Sequence, residues 1–247
     1  RDSRNRLIWE YVRFVESLMP ITIMLENVPA LAEYTEFKRA VTYLKRLGYL
    51  INYTNVNVAR YSVPQRRKRL VLVGSLLGAI EPAKGNNHIT TVRDAIGNMP
   101  LPQDSNDPLH QMFPHHTVHI QEQIRLTPHD GGSRLDLPEE YILPCHRKEG
   151  VGFKDVYGRL AWDKVSSTIT GGCLNPSKGR FLHPEQDRCI SAREAAMLQT
   201  FPREYIFPIN LPRSAIALMI GNALPPIFCK IQAQNIAEQL DGIFMAD

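Results

Sequence analysis

Apolar residues recur at helical spacing near the start of the chain. Leu7, Ile8, Tyr11, Val12, Val15 and Leu18 fall on one side, and Arg4, Glu10, Arg13 and Glu16 on the other. The spacing predicts an amphipathic helix over residues 5–18, ended by Pro20. ITIML at 21–25 is a short continuous run rich in β-branched residues, the pattern of a strand covered on both faces as in a parallel sheet. Leu31, Phe37, Val41, Leu44 and Leu47 predict a second helix stopped by Gly48, after which Tyr49, Ile51 and Tyr53 alternate as in a strand. LVLVG at 70–74 predicts another buried strand, entered through the basic cluster Gln65-Arg66-Arg67-Lys68-Arg69. With a period of two from the start of that cluster, Gln65, Arg67 and Arg69 share one face.

This αβαββ order predicts an α/β fold, the second half of a doubly wound sheet, in which polar groups at the ends of strands line the ligand crevice. Glu26 stands at such an end. From Ser75 to Lys164 the long periodic runs give way to prolines, glycines, histidines and short apolar pieces, which predicts a small irregular inserted domain. Helical signals return at Ser191, an N-cap residue with Glu194 at the capping-box distance, and a final helix is expected from about Pro226 to Leu240. The expected partition is therefore 1–75, 76–165 and 166–247.

Composition narrows the classes without choosing among them. With 247 residues, 43% of them hydrophobic, the chain can bury a substantial core plus a small lobe. Lys and Arg number 29 against 25 Asp and Glu, a net +4 that suits a polyanionic partner and many unrelated enzymes alike. No apolar run approaches the roughly 20 residues of a membrane span, and the N-terminus lacks a secretory pattern. Cys145, Cys173, Cys189 and Cys229 show no CxxC pairing, so reduced thiols, a cytoplasmic location and no membrane partner are expected. His115, His116 and His119, with Cys145-His146, match no four-ligand zinc pattern, and no metal is expected.

Several polar segments are ambiguous singly. Glu26 in Glu26-Asn27-Val28 reads equally as a carboxylate capping the next helix, and the basic cluster as a solvated edge. Gly171-Gly172 and Gly221-Asn222 read as ordinary turns. Their order says more. Asp2-Ser3-Arg4-Asn5-Arg6-Leu7, the Glu26 tripeptide, Gln65-x-Arg67-x-Arg69, the Arg193-Glu194 helix running to Leu198-Gln199-Thr200-Phe201-Pro202, and Gly221-Asn222 together resemble the C-terminal motifs of the DNA cytosine-5 methyltransferases. The resemblance spans the whole chain, and the irregular stretch falls where that family carries its target-recognition domain.

The resemblance implies a mechanism and assigns roles. It identifies the fold as the second half of a doubly wound, Rossmann-like methyltransferase sheet with an inserted target-recognition domain. The cytosine ring accepts a thiolate at C6 only when an acid at N3 and a cation near O2 draw charge out of it, roles that map to Glu26 and Arg69. Asn27, Gln65, Arg67 and Arg193 are implied to be structural or to organise the backbone. Thr168 and the following Gly171-Gly172 match the element that contacts DNA beside the flipped base. Asn222 and Ala223 match the block that helps to shape the S-adenosylmethionine pocket. Arg134, Arg147 and Lys148 are candidate base readers that could equally face solvent, and a histidine-rich loop facing DNA fits residues 115–119.

Two expected parts are not found. The nucleophilic cysteine of the family's Pro-Cys-Gln loop would precede Asp2, and Pro144-Cys145-His146 lacks the context for that role. The glycine-rich cofactor motif is not seen either. The expectation is a C-terminal part of the enzyme, inactive alone, whose partners are duplex DNA and the N-terminal half in cis or as a subunit, or a second copy of itself. A non-catalytic DNA-binding module and an RNA cytosine methyltransferase relative are the alternatives.

Overall fold

The computed structural model describes residues 7–142 and 155–245. The Asp2–Arg6 motif residues, Cys145, Arg147 and Lys148 lie outside them. By its contacts the chain divides into two compact units, residues 1–61, 68–86 and 228–247, and residues 62–67 and 87–227. The expected cuts at 75 and 165 fall elsewhere. Residues 166–227 group with the irregular segment because Ile169, Phe181, Ile190, Leu198 and Ile216 share a core with Val92, Leu109, Leu160 and Trp162.

The first unit contains three strands, β1 (Thr22–Asn27), β2 (Leu50–Asn57) and β3 (Lys68–Ser75), in the order β1-β3-β2. Helices α1 (Leu7–Leu18) and α2 (Thr35–Arg46) cover one face. Both strand pairs are antiparallel, which corrects the parallel reading of residues 21–25. A continuous apolar run reports burial, not direction. The run buried throughout is that of β3, in the middle of the three strands, whereas β1 is mostly half-buried.

Register decides which side chains face the helices. Ile23 lies opposite Gly74 and Leu25 opposite Leu72, and these positions join Val15, Phe37, Leu44 and Leu70 in the helix-side core. Gly74 is needed there: a Cβ would stand 3.0 Å from Ile23 Cγ1 and 3.1 Å from Ile51 Cγ1. By the two-residue alternation, Met24, Glu26, Arg69, Val71 and Val73 point to the opposite face.

The second unit has little regular structure, as expected for the stretch beginning near Ser75. Its helices α3 (Val92–Ile96), α4 (Val118–Leu126), α5 (Ala192–Leu198) and α6 (Arg213–Asn222) are short, and its β content among the described residues is isolated bridges. Side chains do the work of a ladder. Arg159 is fully buried and donates to the carbonyls of Ile124, Thr127, His183 and Gln186 and to the Asp187 carboxylate. Arg134, a candidate base reader, is also buried, at 4% exposure, which corrects both readings offered for it.

Helix α7 (Pro226–Phe244) belongs mainly to the first unit, where Phe228 meets Tyr61 edge-on. The stretch Arg213–Phe244 holds a window with mean hydropathy 1.5, long and apolar enough to cross a membrane by composition. That corrects the expectation of no such run. The stretch is two helices, because Ala223 is extended at φ −65°, ψ 147° and Pro225 and Pro226 follow. Ile216, Ala217 and Ile220 of α6 lie in the core of the second unit.

Candidate functional site

At the end of β1, Glu26 sits opposite Val71 of β3. Arg69, two residues before Val71, is therefore its diagonal neighbour on the same face. Arg69 Nε approaches Glu26 Oε1 at 2.5 Å, with the two side chains 15% and 25% exposed. Oε1 is shielded from water, so Oε2 is the oxygen left for a ligand. Arg69 Nη1 donates to the Lys68 carbonyl at 2.7 Å, and no described acceptor takes up Nη2. The expected acid and cation are thus brought together by strand register. Asn27 acts locally, its Oδ1 accepting the Val28 N–H at 2.8 Å at the strand end.

None of the three described cysteines is a primed nucleophile beside this pair. Burial pushes the Cys173 thiol up to about 12 and raises Cys189 further. Cys229 of α7 is in electrostatic reach of Glu26. Burial first and that carboxylate second push its thiol up, so it stays protonated near neutral pH.

The remaining expected residues assemble in the second unit around the loop at Thr168. Gln65 and Arg67 do not share the face of Arg69, because the strand begins only at Lys68. Both turn inward, at 0% and 5% exposure. Gln65 Oε1 accepts the Ile169 N–H at 3.1 Å and Arg67 Nη1 donates to the Ile169 carbonyl at 2.9 Å, so both backbone groups of Ile169 are pinned. Thr168 Oγ1 donates to the Arg66 carbonyl at 2.6 Å. Its hydroxyl proton is committed, and its backbone N–H is the donor that remains.

Two glycines let α6 close on this loop. A Cβ on Gly221 would stand 2.0 Å from the Thr170 carbonyl carbon, a clash of backbone with backbone, and one on Gly171 would stand 2.7 Å from Leu218 Cδ1. Gly172 makes room for the Lys178 stem, whose Cβ would be 2.8 Å from an added Cβ. Gly171 and Gly172 therefore serve contacts within the protein.

The residue that sequence reasoning left without a role is Gln199. It is fully buried; its Oε1 accepts from Gln65 Nε2, and its own Nε2 donates to the carbonyls of Ile220 at 3.0 Å and Ala223 at 2.6 Å. A chain of two amides thus links the Thr168 loop to the turn carrying Asn222 and Ala223. The signal available was its place in Leu198-Gln199-Thr200-Phe201-Pro202, but its partners lie over 130 residues away in one direction and over 20 in the other. Asn222 itself is exposed, and no described group takes up its carboxamide, which suits a polar ligand.

Arg193 donates to the Tyr205 carbonyl and pairs with Asp107; burial pushes that carboxyl up, and the Arg193 contact together with the Leu109 N–H outweighs it and holds it below the usual range. Ser191 and Glu194 form the expected capping box. Glu194 is also paired with Arg188 and is 1% exposed.

The sequence pattern of the C-5 cytosine-specific DNA methylases matches residues 1–238. The chain belongs to this family. As a C-5 cytosine-specific DNA methylase it is 37% identical to the type II methylase M.HgiDII of Herpetosiphon aurantiacus, over 98% of this chain and 71% of that one. It is 32% identical to the type II methyltransferase M1.HphI of Haemophilus parahaemolyticus, over 96% of this chain and 61% of that one. The S. pombe Dnmt2 methyltransferase structure superposes with a TM-score of 0.63 at 15% identity, covering 96% of this chain and 74% of that one, a likeness of fold. This methylase therefore has the α/β methyltransferase fold. It spans about half to three-quarters of the length of the curated relatives it matches.

Proposed function

We propose that this chain is the base-activating and DNA-recognising part of a DNA cytosine-5 methyltransferase of a restriction-modification system, working in the cytoplasm on duplex DNA. The observation that carries the reading is the Glu26–Arg69 pair at the end of β1, an acid and a cation held on one strand face with Oε2 and Nη2 free to meet one base.

In this mechanism the target cytosine is flipped out of the duplex so that its N3 and exocyclic amine face Glu26. As a thiolate adds at C6, Glu26 delivers a proton to N3 and Arg69 Nη2 donates a hydrogen bond to O2, so the electron pair displaced from the C5–C6 bond makes C5 nucleophilic. S-adenosylmethionine, when bound, supplies the methyl group that C5 accepts. Loss of the C5 proton to a water or hydroxide base then expels the thiolate from C6 and restores the ring, with N3 giving its proton back to Glu26. Asn222 and Ala223 would hold part of it, since the Asn222 carboxamide is exposed and the Ala223 carbonyl is fixed by Gln199.

Thr168 holds a DNA phosphate through its backbone N–H, in a loop kept rigid by Gln65, Arg67 and Gly221. The nucleophile comes from the family's Pro-Cys loop in the N-terminal half, in cis or as a separate subunit, and this chain alone transfers no methyl group.

The test is transfer of labelled methyl from S-adenosylmethionine to duplex DNA by the chain combined with its matching N-terminal half. Glu26→Gln is expected to lower the rate roughly 10²–10⁴-fold, the usual contribution of a positioned acid. An unchanged rate removes the role given to Glu26, and transfer by the chain alone contradicts the missing-nucleophile account.

A further inference from the structure

The outer side of the helix layer carries a feature that the mechanism above does not use. A hollow of about 410 Å³ lies in the first unit, lined by Trp9 of α1 and by Lys38, Arg39, Thr42, Tyr43 and Arg46 of α2. On α2 these positions recur every three to four residues and form one ridge, while Phe37, Ala40, Val41 and Leu44 turn into the core. Glu26 and Arg69 point to the opposite face of the sheet, so the hollow and the base-activating pair are separate places.

The floor of the hollow is aromatic. Trp9 and Tyr43 are half-buried, with ring centroids 6.4 Å apart and planes at 74°, so they meet edge-on and neither covers the other in a stack. Their polar atoms are already taken. Trp9 Nε1 donates to Glu36 at 2.8 Å and the Tyr43 hydroxyl donates to Glu16 at 2.5 Å. Neither carboxylate lines the hollow. The rim is cationic. Arg39 is paired with Glu36 at 3.0 Å. Lys38 meets Glu33 only at 3.8 Å, with both side chains more than half exposed, a pair too wet to hold it. Arg46 is exposed and has no acid partner among the described residues. Thr42 Oγ1 gives its proton to the Lys38 carbonyl, so what it still offers is an acceptor.

We propose that this hollow binds a free purine nucleotide. The base lies against the Trp9 and Tyr43 rings, Arg46 and Lys38 hold the phosphate, and Thr42 accepts from the base or sugar. Charge and shape both select this ligand. Two cations without a committed acid call for an anion, and two aromatic rings whose own polar atoms are satisfied call for a flat partner. A fused two-ring base covers more of that floor than a single ring does. The size falls within the range of about 300–1,000 Å³ usual for small-molecule sites. The inference does not depend on the roles given to Glu26 and Arg69.

The test titrates this chain with guanosine monophosphate, followed by tryptophan fluorescence and by calorimetry. Guanine is neither the target base nor the adenine of the cofactor, which keeps those sites out of the readout. The chain has two tryptophans, and Trp162 is buried at 7% exposure in the second unit, so a quench reports Trp9. Saturable quenching is expected. Arg46→Ala, at an exposed position, should weaken the monophosphate about tenfold, the effect of losing one charge-assisted bond, and leave guanosine unchanged. Trp9→Leu should weaken both ligands and abolish the quench. Absence of saturable binding overturns the proposal, as does an Arg46→Ala chain that binds the monophosphate as before. Inorganic phosphate binding as tightly as the nucleotide would mark a bare anion site. A single-stranded oligonucleotide binding more tightly, in a manner that needs Arg46, would mark a strand-binding surface, and either result overturns it as well.

Discussion

The two units place their polar groups by different means. Glu26 and Arg69 are set by a ladder: six register pairs between β1 and β3 determine that they are diagonal neighbours before either side chain makes a contact. The Thr168 loop has no ladder, and its conformation depends on Gln65, Arg67, Gln199 and the bare Cα of Gly221. Polar substitutions should therefore have small effects on folding in the first unit and large effects in the second.

The largest predicted effect is at Arg159, whose five donors satisfy four carbonyls and one carboxylate in a fully buried site. Arg159→Met leaves those acceptors stranded and should cost about 3–5 kcal/mol in urea unfolding. A loss under about 1 kcal/mol would mean that the irregular unit does not depend on side-chain donors in this way.

Acid should expose the same dependence. His183 is 3% exposed, and its Nδ1 accepts the N–H groups of Glu185 and Gln186. Burial, partly offset by Glu194, lowers its pKa from the ordinary 6.5 to about 4. The unfolded chain then binds more protons between those values. Stability is complete above about pH 6.5 and falls as the pH drops toward 4, by about 3 kcal/mol in total. Glu194, also lowered, extends the loss below the ordinary glutamate range. Unfolding midpoints that stay constant from pH 7 to 4.5, or the same slope in His183→Asn, would contradict this.

An intermediate effect is expected at Gln199. Gln199→Leu strands the Ile220 and Ala223 carbonyls and frees Gln65, which should cost roughly 2 kcal/mol. A combined Gln65→Ala should add less than its separate cost, because both belong to one network. Full additivity would break the relay from the Thr168 loop to the Asn222 turn. The smallest effect belongs to the first unit. Asn27→Ala removes one exposed local bond at a strand end and should change the unfolding free energy by no more than about 0.5 kcal/mol.

What could be read from the sequence follows the same division. Local signals carried far: the 21–25 and 70–74 runs marked β1 and β3, Gly48 marked the end of α2 with φ +100°, and Ser191-x-x-Glu194 marked a real capping box. Motif order brought Glu26 and Arg69 together. Strand direction was not legible, because an apolar run looks the same in either orientation. The alternation drawn through Gln65 and Arg67 failed because the period of two starts only where the strand does, at Lys68. The roles of Gln199 and Gly221 were hidden for another reason. An amide or a missing methyl group declares itself only through what it touches, and here the partners are distant in sequence.

The central claim is that Glu26 and Arg69 act as one device on the base. The most direct measurement is a double-substitution cycle, Glu26→Gln and Arg69→Met singly and together, on the rate of methyl transfer by the chain combined with its N-terminal half. If the pair acts as a unit, each single change lowers the rate roughly 10²-fold or more, and the double variant is little slower than the slower single one. Losses that multiply would show two independent residues, and would contradict the account.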